Sequence, residues 1–300
     1  MPLVRHGLCF NSLSREFKQV KYSESTFHPI VVQMKRIHVS LTTAEAKKLI
    51  GKAVAHLEEV QKAYREGIIV VKKGSTNAFV LQELTGMREV KDPVAGLNRP
   101  EGPCNSGPEN RLVKEQPKVK LPHWIIEKGK VMVGSPNYII RNMRSDDVYI
   151  QGANALDPQG NAAIMVGGPG GGTFGRDLPY LISAGVHVIV PTGLEKLIPT
   201  PISKVLSETG FYKMDYGWGR PCGWIPVPGK VITEVEAYKI LTGCEAIPVA
   251  AGGIAGAEGA THLIVKGDEQ MANRAIEVTK SVKGAKLHPV EIPKCSECPR

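Results

Sequence analysis

Residues Ile68-Ile69-Val70-Val71 form an uninterrupted β-branched run, followed at once by Lys72-Lys73-Gly74-Ser75-Thr76-Asn77. Apolarity that is continuous rather than alternating predicts a strand buried on both faces, as in a parallel sheet. Before the run, Thr42 and Glu45 have the spacing of a capping box. Ala46, Leu49, Ile50, Ala53, Leu57 and Val60 then recur at helical intervals, which predicts a helix to about Arg65, ended by Gly67. A short strand, Met34–Ser40, precedes it, and a helix over Ala78–Leu84 follows the glycine loop. Helix, buried strand, glycine loop and helix in that order open a doubly wound, mostly parallel α/β domain.

The remainder divides by rhythm. Asp92–Gln116 is rich in Pro, Gly and Asn and predicts a long loop or lid. Strands are expected at Lys130–Gly134, Asp147–Gln151, Ala162–Val166 and Val186–Val190, and a helix running to about Ala184. Beyond residue 221 the order of expected elements is β-α-β-β-α-β: Gly223–Pro228, Thr233–Leu241, Ala246–Ala251, Thr261–Lys266, Asp268–Val282 and Leu287–Ile292. That is a ferredoxin-like arrangement. The expected organisation is a loose tail (1–33), an α/β ligand-binding domain (34–221), a ferredoxin-like α+β domain (222–293) and a short tail (294–300). The last tail carries Cys295 and Cys298 as a lone C-x-x-C, half of what a four-ligand metal site requires.

Three loops could carry chemistry. Lys73, Gly74, Ser75, Thr76 and Asn77 lie between a buried strand and a helix start. Unpaired N–H groups and the helix dipole favour an anion there, with Lys73 as a point charge. Capping of the helix by Ser75 or Thr76 is the structural alternative. Gly168, Gly170, Gly171, Gly172 and Thr173 belong to a glycine-dominated stretch that again precedes a helix. Ordering so many glycines is entropically costly, which points to close backbone approach by a ligand, against a plain surface connection. Asn154 follows a strand end and is the ligand-facing candidate of Gly152–Asn161, where Asp157 and Gly160 read as turn residues. Glu195 and Lys196 close another strand, where side chains would face a ligand crevice; a surface ion pair is the alternative. They and Asp177, just after the glycines, are the candidate catalytic residues.

The G-S-T loop, the segment Gln151-Gly152-Ala153-Asn154-Ala155 and the glycine stretch resemble, in order, the phosphosugar-isomerase and CoA-transferase superfamily over about residues 67–192. His187–Thr200 is similar to the strand and G-[IL]-E-K-x-[VI]-P-T segment of its lactate-utilisation branch. The resemblance implies a phosphorylated or CoA-type ligand held in the glycine loops. Ribose-phosphate isomerases of this superfamily carry acids in the D-G-A-D-E segment and after the glycines. Here amides and Ala155 replace the first set, and Arg176-Asp177 follows the glycines. Proton shuttling in a sugar isomerase needs a carboxylate base, so transfer chemistry is expected over isomerisation. A metabolite sensor using the same pocket without catalysis is the alternative.

The net charge of +9 suits anionic ligands. Its scatter through the chain argues for a small anionic metabolite rather than nucleic acid. No apolar run reaches the length of a membrane span, and six dispersed cysteines fit a reducing, cytoplasmic setting. Self-association into a homo-oligomer is left open.

Overall fold

The computed structural model describes residues 33–91, 93–104, 123–132 and 136–290. The expected N-terminal tail up to residue 32, the Cys295–Cys298 pair and most of the Asp92–Gln116 loop lie outside the described residues.

The chain begins with β1 (Lys35–Leu41), α1 (Thr43–Ala55), α2 (Glu58–Glu66), β2 (Ile68–Lys72) and α3 (Ser75–Thr85). The Thr42–Glu45 capping box is formed, with Thr42 N–H donating to Glu45 Oε2 at 3.0 Å. The single helix expected to run to Arg65 is two. It breaks at His56–Leu57, where Gln61 Nε2 donates to the freed Ala55 carbonyl at 2.6 Å and Leu57 turns into the core. Next come a hairpin, β3 (Leu97–Arg99) and β4 (Gly102–Cys104), a second hairpin, β5 (His123–Glu127) and β6 (Lys130–Met132), and α4 (Pro136–Arg141). They are followed by β7 (Val148–Ile150), β8 (Ala155–Leu156), β9 (Ala162–Val166), α5 (Gly172–Ala184) and β10 (His187–Pro191). The C-terminal part comprises α6 (Ile202–Glu208), β11 (Gly223–Pro226), β12 (Lys230–Ile232), α7 (Glu234–Thr242), β13 (Glu245–Ala251), β14 (Thr261–Gly267) and α8 (Glu269–Val282).

The main sheet has six strands in the order β12-β10-β7-β2-β5-β6. The first four are mutually parallel, β5 runs antiparallel to β2, and β6 runs antiparallel to β5. Strand side chains alternate between two cores. Ile69, Val71, Val148, Ile150, Ile189 and Ile232 pack with α1, α3 and α7. Val70, Tyr149, Val188 and Val190 pack with Phe174 and Leu181 of α5 and Ile140 of α4. Burial on both faces is why the Ile68–Val71 run has no polar alternation. The fold is a mixed α/β structure. No helix among the described residues is long and apolar enough to cross a membrane.

The expected ferredoxin-like domain is not formed. Its strands are divided among three sheets: β11 pairs with β9, β12 with β10, and β13 and β14 join β1 in the order β1-β14-β13. The β-α-β-β-α-β order survives only as order. The physical reason is β1, which pairs along its whole length with β14, so that a strand from the N-terminal part flanks β14 in place of one from residues 222–293. Leu287–Val290 has no regular structure. Tyr238, Leu263 and Ala275 share one core with α1, and the described residues from Gln33 onward form one compact unit across the 221/222 boundary.

Candidate functional site

At β2 the chain leaves toward β5 on one side and returns as β7 on the other. In open α/β sheets such a divergence is the usual place for a ligand, at the carboxyl ends of the strands. The carboxyl end of β2 runs through Lys73 and Gly74 into α3. Gly74 is the N-cap, and no side chain caps the helix. Ser75, Thr76 and Asn77 therefore lie inside the first turn with their N–H groups uncapped, and the capping role considered for Ser75 or Thr76 is not realised. Thr76 and Asn77 are buried. Asn77 Nδ2 ties β2 to β7 by donating to the Lys72 carbonyl at 2.9 Å and the Ile150 carbonyl at 3.4 Å.

Asn77 Oδ1 has no partner among the described residues. The same holds for Gln151 Oε1 and Thr192 Oγ1, both buried just past the ends of β7 and β10. Gly152 stands between them: a methyl group there would lie 3.6 Å from Asn77 Oδ1 and 3.8 Å from the Pro191 carbonyl. Buried polar atoms are normally hydrogen-bonded. Three that are not stand in the first turn of α3 and just past the ends of β7 and β10.

On the α5 side of β2 is a buried charged cluster. Lys72 Nζ lies 3.3 Å from Asp177 Oδ2 and 3.3 Å from His123 Nδ1, and donates to Thr173 Oγ1 at 2.9 Å. Tyr149 donates its hydroxyl to Asp177 Oδ2 at 2.6 Å. Thr173 and Asp177, four residues apart on α5, present one face to β2. Burial, then the positive charges of Lys72 and Lys73, push His123 down to about 3, so its ring is neutral. Burial and the neighbouring Asp177 hold the Tyr149 hydroxyl well above its ordinary range. Lys73, the expected phosphate contact, lies 5.9 Å from the centre of the Trp124 ring. Lys72 is the cation at the heart of the cluster.

The second glycine stretch is explained largely by turn geometry. Gly170, Gly171 and Gly172 have φ of 63°, 75° and 62°, a left-handed path that other residues rarely follow. A side chain at Gly171 would collide with Ile225 Cδ1, and one at Gly175 with the Gly170 carbonyl. Gly168 lies beside Gly172. The glycines thus seat α5 against β11 and deliver Thr173 and Asp177 to Lys72. Asn154 is engaged internally, its Oδ1 accepting from Met165 N–H at 3.0 Å across the β8–β9 hairpin. Asp157 makes the turn expected of it, accepting from Gln159 and Asn161 N–H and holding Ile202 N–H at 3.0 Å.

Glu195 and Lys196 follow β10 on the α1 and α7 side and form a separate cluster. Glu195 pairs with buried Lys47 at 3.3 Å and has no further donor among the described residues. Glu234, the first residue of α7, is fully buried and accepts from Leu194 N–H at 2.9 Å and from the Thr261 hydroxyl at 3.3 Å. Burial and the neighbouring Glu195 push Glu234 up to about 7. Burial, then Lys47, lowers Lys196, against the pull of Glu195. Of the three candidate catalytic residues, only Asp177 bonds to residues beside the glycine loops.

Sequence reasoning missed Lys47, Lys72, His123, Tyr149, Gln151, Thr192 and Glu234. The one available signal was Lys72, a charge set directly on the end of an apolar strand. Among the described residues no group of three or more His, Cys, Asp or Glu side chains could hold a metal ion. Comparison of the chain with protein-family models, curated proteins and solved structures gives no match.

Proposed function

We propose that this chain binds a phosphorylated or CoA-type small molecule at the carboxyl ends of β2, β7 and β10, and acts on it as a transferase-type enzyme. The observation that carries the reading is the pairing of an uncapped α3 N-terminus with the unpartnered Asn77 Oδ1, Gln151 Oε1 and Thr192 Oγ1. Backbone N–H groups at a helix start hold phosphate oxygens. The buried acceptors suit the hydroxyl groups of the same ligand, each worth more when its alternative is an unsatisfied atom. Fixed N–H donors also stabilise negative charge that develops during transfer. Within this proposal the parallel order β12-β10-β7-β2, with helices on both faces, is a doubly wound sheet of the phosphosugar-isomerase and CoA-transferase type.

A second reading, a metabolite sensor, draws on the engagement of Asp177. Its Oδ2 already serves Lys72 and Tyr149, leaving little freedom for proton transfer. Both readings need the same pocket.

The test is thermal unfolding with ribose 5-phosphate, CoA and acetyl-CoA, each beside an unphosphorylated counterpart such as ribose. A ligand at 100 times its Kd adds about 2.7 kcal/mol, a plain rise in Tm. The expected result is a rise with phosphorylated compounds that inorganic phosphate competes away. Equal rises with ribose and ribose 5-phosphate, or none with any compound, would remove the anion site. Turnover of a CoA thioester by the responding protein separates enzyme from sensor.

A further inference from the structure

We propose that the groove between α1, α3 and the segment after α8 is a second anion-binding site, taking a small phosphate or carboxylate compound. The groove encloses about 260 Å³. Lys48 of α1, Phe79 and Gln82 of α3, and Arg88, Lys286 and His288 line it, with Glu89 as the one acid along its described wall. None of Lys48, Arg88 and Lys286 is in an ion pair among the described residues. Three cations lining one small volume, without ion-pair partners among the described residues, attract anions. Arg88 can offer a planar fork, the geometry that suits carboxylate and phosphate.

The groove also contains a nitrogen in need of an acceptor. Val90 N–H donates to His288 Nδ1 at 3.3 Å, so Nδ1 supplies its lone pair and the neutral ring carries its proton on Nε2. That Nε2–H is shielded from solvent and has no acceptor among the described residues. Burial lowers the ring's pKa, against the pull of Glu89, and so favours this neutral form. The ring packs on Phe79 with centroids 4.8 Å apart. An oxyanion seated beside this ring would supply the acceptor that Nε2–H lacks. Removing the cost of an unmade hydrogen bond then adds to the attraction of the three cations.

This site is separate from the one at β2 and holds whether or not the β2 site binds. The experiment is titration of the full chain with inorganic phosphate and with succinate, followed by calorimetry and by the side-chain ¹⁵N–¹H signal of His288. Saturation is expected to shift the His288 Nε2–H signal. The exposed double variant Arg88→Ala/Lys286→Ala is expected to fold normally, to lose that shift and to weaken the associated binding at least about tenfold, the equivalent of 1.4 kcal/mol. The backbone amides of Ser75–Asn77 report the other site in the same spectra, so the two can fail separately. A His288 signal unmoved by saturating amounts of either probe, or a double variant that binds as tightly as the parent, overturns the proposal.

Discussion

Asp177→Ala is expected to destabilise the protein by about 3–5 kcal/mol, because it removes the buried carboxylate that lies 3.3 Å from the Lys72 ammonium. Lys72 and Asp177 have side chains only 6% and 7% exposed, so water cannot replace the lost partner. Tyr149 loses its acceptor as well. The loss should appear in urea unfolding at pH 7 as a lower midpoint with an unchanged slope. Lys72→Met/Asp177→Leu removes both charges, and the part of the loss due to the unbalanced charge should return, while the part due to the Tyr149 hydroxyl remains. If the single variant loses less than 1 kcal/mol, Lys72 is not buried as described and the cluster cannot be a rigid wall of the site.

Glu234→Gln is expected to remove a fall in stability that accompanies rising pH above 4.5, so that the variant gains on the parent across that range. The folded protein raises Glu234 to about 7 from an ordinary 4.5. It therefore favours the protonated carboxyl, and that contribution is fully present below the unfolded pKa. It is lost as pH rises through the folded value. The difference in pKa corresponds to about 3 kcal/mol across pH 4.5–8. Glu195 faces Glu234 as a like charge, Lys47 compensates Glu195, and Thr261 and Leu194 donate to the carboxyl. Glutamine keeps the shape and the acceptor while removing the titration. His123 works in the opposite direction: its pKa, depressed to about 3, makes stability rise with pH up to about 6.5. The difference between parent and variant isolates Glu234 from that background. Parallel pH profiles for the two proteins would show that Glu234 titrates normally.

The periodic parts of the fold were legible in the sequence. The Ile68–Val71 run announced a strand buried on both faces, and the Thr42–Glu45 capping box marked a real helix start. Strand partnership was not legible, because it is set between distant segments. Nothing local in Lys35–Leu41 says that its neighbour is Thr261–Gly267, so the C-terminal order suggested a self-contained domain that the chain does not build. The glycine stretch shows a related limit. Composition flagged its unusual backbone correctly, but not that its glycines seat α5 on Ile225. Likewise, Glu195 and Asp177 stand in comparable places along the chain, yet they fall on opposite sides of the sheet because each joins a different layer of helices.

In the proposed function, the uncapped first turn of α3 receives the anion. The most direct test is the backbone ¹⁵N–¹H spectrum of the full chain during titration with the phosphorylated compound that raises Tm most. The account predicts the largest shifts at Ser75, Thr76 and Asn77, with the side-chain amides of Asn77 and Gln151 moving alongside. Saturable binding that leaves those signals in place and moves residues around Glu195 or His288 instead would contradict it.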